Sequence, residues 1–540
     1  MIIKNSGANM IDGKIIYQIY PRSFYDSTKS GTGDLTGIED KLDYVASLGV
    51  DYVWLSPFFT SPMKDFGYDV ADYCNVDPIF GDLSSFDRLV EKANKLNLKV
   101  MIDMVISHSS DQHPWFLESC RNIDNDKSDW YVWVDAKKGA HSLPNNWLSV
   151  FGNSSWQYHE GRNQFYLHNF LVSQPDLNFH NLAVQEAMLG VCEFWMKRGI
   201  KGIRLDTVNF YFHDLQLRDN PLHSEHSTAL DSPGCNPYIK QNHLYDKNRP
   251  ENINFLIHLR KLANQYDVLL LGEVGADQET AHMIKNYTTG NDKLHLCYGF
   301  DYIGGPFSVK YYCESINNFW GTPPKGMICN SFGNHDSVRW ISRWEHNNDY
   351  DLEFTKLCAS LLMFLKGACC IYQGEELGLS EYEITKKEDI KDPYGLAFFP
   401  EFKGRDGCRT PMVWQKDALN GGFSSAPKTW LPVPEEHLAK AVDQQNEPDS
   451  LLNFYRQLII FKKNNEILQS GDIQAEPISK NLLRIIRTGA KGDKLEGIFN
   501  FSDTKLSINK SNQDILWPNN NNNNNRSNEL GPYGVVIRKI

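Results

Sequence analysis

Short apolar segments recur through the first two-thirds of the chain, at residues 15–19, 52–55, 100–104, 203–205, 268–271, 327–331 and 369–372. A weaker one precedes Phe300. Between them lie amphipathic patterns such as 184–197, where Val184, Met188, Val191 and Trp195 fall on one helical stripe, and 254–263. Apolar strands that alternate with helices call for a parallel sheet covered on its faces. About eight such units over this length favour a closed (β/α)8 TIM barrel over an open doubly wound sheet. No glycine-rich dinucleotide fingerprint follows the first strand, which weakens the open alternative.

The rhythm breaks twice. Residues 107–181 are rich in Trp, Tyr, Asn and His with few helix signals, and read as a small domain inserted after the third strand. A second irregular stretch, 379–434, follows the eighth strand and is rich in Pro, Gly and charge. Residues 451–461 then give a last helix. The barrel is thus expected over 1–106 and 182–464, with an antiparallel C-terminal β-domain of sandwich type over 465–540, signalled by segments such as 482–486 and 534–537. The asparagine run at 519–525 reads as a solvated loop.

Composition excludes several classes. The net charge of -12 comes without a basic stripe, so no nucleic-acid partner is expected. The longest apolar run, around 361–372, is too short to span a bilayer and contains Lys366, so no membrane partner is expected either. The first residues hold no apolar stretch of the kind that directs secretion. The eleven cysteines are scattered, lack metal-ligand spacing, and include an adjacent pair, Cys369-Cys370, that reads as buried core. A cytoplasmic setting is the simplest expectation.

Catalytic groups of a TIM barrel gather where its strands end. Here those ends carry Asp103 and His108, Arg204 and Asp206, Glu273, and His335 with Asp336. Strand alternation directs Arg204 and Asp206 to the same side, into the barrel mouth. Any one of these residues alone would read as a helix cap or a satisfied polar group, and Asp103 fits a structural role, holding the arginine. Together they suit cleavage of a glycosidic bond. One carboxylate attacks the anomeric carbon, and a second, kept protonated, donates to the leaving oxygen. Arg204 is expected to lower the pKa of Asp206. The apolar neighbours Leu269, Leu270, Leu271 and Val274 are expected to raise that of Glu273. Asp336 is the third carboxylate, suited to holding sugar hydroxyls.

The stretches DMVISH, GIRLDTVNF, GEVG and FGNHD resemble, in order, the conserved regions of the α-amylase family, glycoside hydrolase family 13. QPDLNF, residues 174–179, is similar to the extra motif of its α-glucosidase and oligo-1,6-glucosidase branch. IIYQIYPRSFYDS, FGYDVADY, IYQGEELGL and GRDGCRTPMVW are similar to further segments of that branch. The resemblance runs from about Ile15 to Trp414. It implies a retaining glycosidase with Asp206 as nucleophile, Glu273 as acid/base and Asp336 as the stabilising carboxylate. It puts Asp65, Tyr68, His108, Arg204, His335 and Arg409 around a terminal glucose, with Tyr68 stacked on the ring and Asp65 and Arg409 closing the pocket on the far hydroxyls.

Thr207 follows the nucleophile. In the branch it resembles, valine there goes with α-1,6 activity, so threonine implies maltose-like α-1,4 substrates. No cofactor is expected. Ser107 stands where the amylases have a calcium-binding asparagine, which argues against structural calcium there. The loop from Asp26 to Asp34 keeps only those two carboxylates of an acidic metal loop and inserts Lys29, expected to take the ion's place.

The expected partner is therefore a small α-glucoside, short because the insertion and the 379–434 stretch would narrow the mouth. Two other readings stand beside hydrolysis. Transglucosylation, including conversion of sucrose or formation of trehalose, uses the same intermediate. A non-catalytic, transporter-associated barrel is the reading from another class, but such relatives carry a membrane helix and have lost catalytic residues.

Overall fold

The computed structural model describes residues 11–136, 142–223, 233–275, 280–344, 352–509, 515–518 and 529–540; the asparagine run lies outside them. Eight parallel strands form one sheet: β1 (Ile15–Ile19), β2 (Tyr52–Leu55), β3 (Lys99–Met104), β4 (Gly202–Leu205), β5 (Leu269–Glu273), β6 (Leu296–Tyr298), β7 (Cys329–Ser331) and β8 (Ala368–Tyr372). Neighbours follow chain order, β8 returns to β1, and a parallel bridge between Cys297 and Ile328 links β6 to β7. The sheet is a closed barrel. Eight helices wrap it: α1 (Leu35–Ser47), α2 (Leu83–Lys95), α3 (Leu182–Lys197), α4 (Asn252–Tyr266), α5 (Thr280–Thr288), α6 (Val309–Gly321), α7 (Leu352–Phe364) and α8 (Leu451–Lys463).

The helix starts follow local chemistry. Asp34 caps α1 by accepting from Gly37 N, and Asp82 with Ser85 makes a reciprocal capping box at α2. Asn181, Ser308 and Ser450 cap α3, α6 and α8. Each cap is worth about 1 kcal/mol. On α3 the stripe of Val184, Met188, Val191 and Trp195 is buried as its spacing predicts, and the Trp195 indole N–H donates to the Tyr73 carbonyl at 2.8 Å.

Strand alternation divides the core in two. One set of side chains faces the helices. The other, including Ile16, Trp54, Met101, Leu269, Leu271, Leu296 and Cys370, fills the barrel centre. Two residues further along the same columns stand Gln18, Asp103, Glu273 and Tyr298. A period of two therefore carries each strand from an apolar floor to a polar mouth at its C-terminal end.

Between β3 and α3 lies a three-stranded antiparallel sheet of Trp133–Asp135, Gln164–Leu167 and Trp156–His159. The 379–434 stretch forms short helical turns, among them Pro393–Phe398 and Asp406–Arg409. At the C-terminus, β9 (Asp472–Pro477), β10 (Leu482–Thr488), β11 (Lys494–Asn500), β12 (Ile515–Trp517) and β13 (Val535–Lys539) make an antiparallel sheet in the order β9-β10-β11-β13-β12. The buried cation of Arg487 on β10 joins this sheet to the barrel, donating to the carbonyls of Phe364 and Leu365 where α7 ends, and Lys462 of α8 donates to those of Met363 and Leu365. Cations at a helix C-terminus complement its exposed carbonyls and its dipole.

Candidate active site

Strand register builds the centre of the site. Arg204 on β4 lies beside Asp103 on β3, and Glu273 on β5 lies beside Tyr298 on β6. The Arg204 Nη1 donates to Asp103 Oδ1 and Asp206 Oδ1, both at 2.7 Å, and its Nη2 stands 2.6 Å from Glu273 Oε2. The Tyr298 hydroxyl donates to Glu273 Oε1 at 2.8 Å. One buried guanidinium thus holds three carboxylates, and the two assigned to the reaction are drawn to within its span. Arg204 also lies over the Trp54 ring, 5.1 Å from its centroid.

Loops complete the constellation. The Tyr68 hydroxyl donates to Asp103 Oδ2 at 3.1 Å and bonds the His335 ring, on which Tyr68 stacks with an interplanar angle of 7°. Tyr68 reaches this position through a turn in which Phe66 and Gly67 both have positive φ (51° and 111°), conformations that only glycine adopts without cost. His108 bonds the Tyr68 carbonyl through Nε2 at 3.0 Å. His335 Nε2 lies 3.1 Å from Asp336 Oδ2. Asp336 Oδ1 accepts from Arg409 at 2.7 Å and from Arg405 at 3.1 Å. Arg405 in turn binds Asp65 at 2.8 Å and is gripped by the fully buried Asp392.

Of these groups, Asp65, Tyr68, His108, Asp206, Glu273, Asp336 and Arg405 line a pocket that opens to solvent. Its wall also carries Gln174, Phe151, Phe170, Phe210, Tyr238 and Phe300. The mixture of aromatic faces and a few converging polar groups is that of a site for a small polar ligand with apolar ring faces.

The α-amylase catalytic-domain family model matches residues 18–471. The chain belongs to the α-amylase family. It is 51% identical over 496 residues to a probable α-glucosidase of Rhizobium meliloti, covering 91% of this chain and 89% of that protein. To an oligo-1,6-glucosidase of Bacillus cereus it is 34% identical, over 85% of this chain and 84% of the other. Among solved structures, an α-glucosyl transfer enzyme superposes with a TM-score of 0.91 at 43% identity, covering 98% of this chain and 99% of that one. A trehalulose synthase follows at 0.87 and 28% identity, over 98% and 99%. The chain is a glycoside hydrolase of the family's α-glucosidase and oligo-1,6-glucosidase branch.

The family site departs from the sequence expectation in three places. Burial pushes the Asp206 carboxyl up to about 7; Arg204 opposes the rise as expected, but the charges of Asp103 and Asp336 reinforce burial, so the net shift is upward. Glu273 is also raised to about 7, by burial first, with Arg204 opposing and Asp206 and Asp336 adding. Asp336 goes the other way: burial favours its neutral form, yet His335, Arg405, Arg409 and Arg204 outweigh it and hold the carboxyl well below its usual range.

The second departure concerns the wall at Asp65. Its partner is Arg405 rather than Arg409. Arg409 is buried behind the site, where it binds Asp336 and the His335 carbonyl. Arg405 stands in the stretch GRDGCR quoted for the family resemblance, and that stretch offers two arginines with nothing local to choose between them. Gln174, from QPDLNF, was likewise legible as a motif member; it donates to Asp65 Oδ2 at 3.1 Å and lies against His108. Tyr298 had only a weak strand to signal it.

The third is the Asp26 loop. Asp26 accepts from Thr28 N, Ser30 N and Gly31 N and from the hydroxyls of Thr28 and Ser424, while Lys29 is exposed and not its partner. Asp34 accepts from Ser27 and from Gly37 N. Hydrogen-bond donors surround both carboxylates where a hard cation would need oxygen acceptors, so these residues do not fit a metal. Backbone N–H groups, and not the Lys29 ammonium, occupy the ion's place. No cluster of three or more potential metal ligands occurs among the described residues.

Proposed function

We propose that this glycoside hydrolase is a retaining, exo-acting α-glucosidase that releases terminal α-1,4-linked glucose from maltose and short malto-oligosaccharides. The observation that carries this reading is the pair Asp65–Arg405 at 2.8 Å, a link between two loops that lines the same pocket as Asp206 and Glu273. A pocket bridged in this way takes a chain end and leaves no room for a chain to run through. The buried carboxylate of Asp65 and the donors of Arg405 suit the far hydroxyls of a terminal glucose.

In this reading Asp206 attacks the anomeric carbon while Glu273 delivers its proton to the glycosidic oxygen. Asp206 Oδ1 is occupied by Arg204, so Oδ2 is the attacking oxygen. Glu273, then a carboxylate, deprotonates the water that releases glucose. Asp336, ionised under its arginines, accepts from ring hydroxyls and gains strength as positive charge develops on the sugar. Tyr68 and His335 form a stacked floor beneath the ring.

The hydroxyl of Thr207, 3.1 Å from Asp206 Oδ2, is the group that supports α-1,4 over α-1,6 preference. A second reading, glucosyl transfer to an acceptor sugar, is favoured by the aromatic wall of Phe151, Phe170, Phe210 and Phe300 and by the similarity to the α-glucosyl transfer enzyme. The test is a panel of maltose, isomaltose, sucrose, trehalose and maltotriose with product anomers followed by NMR. Release of α-glucose from maltose as the main product is expected. An inverted anomer would defeat the nucleophile assignment, and isomeric disaccharides in excess over glucose at high maltose would defeat hydrolysis.

A further inference from the structure

Behind the pocket a chain of hydroxyls leads to the one oxygen of Asp206 that Arg204 leaves free. Thr207 Oγ1 lies 3.1 Å from Asp206 Oδ2 and 3.1 Å from Ser107 Oγ, and Ser107 Oγ lies 2.9 Å from His108 Nδ1. All four residues are buried. Thr207 is held in place at a cost. Its φ of 40° and ψ of 49° are left-handed, which a β-branched residue adopts only under strain of about 1–3 kcal/mol. In that conformation its backbone N–H also reaches Glu273 Oε2 at 3.1 Å, so one residue bridges both acids of the reaction.

The direction of the hydroxyls follows from the histidine. His108 is kept neutral by burial, which pushes it down to about 4. Its Nε2 faces a carbonyl, the Tyr68 oxygen at 3.0 Å, and so carries the proton. The Gln174 amide, 3.2 Å from the same nitrogen, gives one of its two hydrogens to Asp65, and the carbonyl of Tyr68 decides the tautomer because it can only accept. His108 Nδ1 is therefore an acceptor, and Ser107 spends its single hydroxyl proton on it. Toward Thr207, Ser107 can only accept. The Thr207 proton then has two acceptors, Asp206 Oδ2 and Ser107 Oγ, at equal distance.

We propose that Ser107 is a positioning residue that acts through Thr207: the Thr207 hydroxyl donates to Asp206 Oδ2 in the resting enzyme and turns to Ser107 Oγ as that oxygen bonds the anomeric carbon. The inference rests on Asp206 being the nucleophile. In the step itself the Oδ2–C1 bond forms, the bond from C1 to the leaving oxygen breaks, and the Glu273 proton goes to that oxygen. Oδ2 gives up an electron pair to carbon, so its bond with Thr207 weakens as the ester forms. Without Ser107 the Thr207 proton would lose a buried acceptor at the moment it is released, a cost met only along the reaction.

The test is a double-mutant cycle of Ser107→Ala and Thr207→Val, read as kcat/KM for an aryl α-glucoside and as the acid limb of its pH profile. Thr207→Val is expected to keep kcat/KM above the acid limb within about three-fold, because the bond it removes weakens along the reaction and the compensating one to Ser107 is a neutral hydrogen bond. It should also move the acid limb to higher pH, because ionised Asp206 loses a donor. Ser107→Ala is expected to cost roughly three-fold, the scale of a neutral hydrogen bond, without raising the limb, and to add nothing in the Thr207→Val background. Full additivity would overturn the relay, since Ser107 would then act through His108. If alanine at 107 prevents folding, Ser107→Cys takes its place in the cycle with the same criterion. Trapping each variant with 5-fluoro-α-glucosyl fluoride separates the two layers: a label away from Asp206 overturns the nucleophile assignment, whereas a label on Asp206 with additive losses overturns the relay alone.

Discussion

Arg405 binds Asp65 at 2.8 Å across 340 positions of sequence. The pair joins the loop after β2 to the irregular stretch after β8, and both residues line the pocket. Asp392 grips the same guanidinium, and Asp406 holds the Asp392 backbone in turn.

Removing Arg405 leaves Asp65 and Asp392 as buried charges without their cation, a loss on the order of 3–5 kcal/mol. Arg405→Ala is expected to lower kcat/KM for maltose by roughly 100-fold or more and to lower Tm. Arg405→Lys, a point charge in place of a two-pronged donor, should recover part of the Tm and little of the activity. Steady-state kinetics and thermal denaturation check both; recovery of full activity by lysine would remove the argument from two-pronged binding.

With Asp206 as the proposed nucleophile and Glu273 as the proposed acid, the reaction needs the first ionised and the second protonated. Activity therefore rises with pH as Asp206 loses its proton and falls as Glu273 loses its own. Burial raises both to about 7, so kcat/KM is expected to follow a narrow bell centred near neutral pH. A plateau extending down to pH 5 would show that Asp206 keeps an ordinary carboxylate pKa.

Glu273→Gln is expected to lose roughly 10²- to 10⁴-fold in kcat/KM on maltose, whose leaving group needs a proton. The loss should be much smaller with p-nitrophenyl α-glucoside, whose leaving group departs unprotonated. Comparing the two substrates on one preparation decides the matter, because equal losses would assign Glu273 a role other than acid.

Chelation should change neither activity nor Tm, since donors already fill the coordination space around Asp26 and Asp34. Asp26→Ala, by contrast, is expected to lower Tm by a few degrees through several unmet backbone N–H groups. Loss of activity on EDTA treatment, restored by Ca²⁺, would contradict this account of the loop.

Thr207→Val should raise the ratio of isomaltose to maltose turnover. The two side chains share an outline, so any change in ratio reports the hydroxyl. A ratio that stays fixed would move the linkage preference elsewhere in the pocket.

The barrel and the positions of its acids were legible in the sequence because both are local matters. A strand's period of two decides which side chains enter the barrel, and the end of each apolar run marks the mouth. Asp103, Arg204, Asp206 and Glu273 could be placed from that alone. Which partner each side chain takes is a different kind of fact. Arg405 and Arg409 stand four apart in one turn-rich stretch and both reach Asp336, and only the packing of that stretch over the loops after β7 and β2 turns one also to Asp65 and the other to the His335 carbonyl. The balance of charge is non-local as well. A single neighbouring arginine suggested a lowered Asp206, but the sequence holds no measure of how completely the site is dehydrated, and burial outweighs one cation when other carboxylates share it. Ser107 and Thr207, 100 positions apart, meet only because adjacent barrel strands bring their loops together.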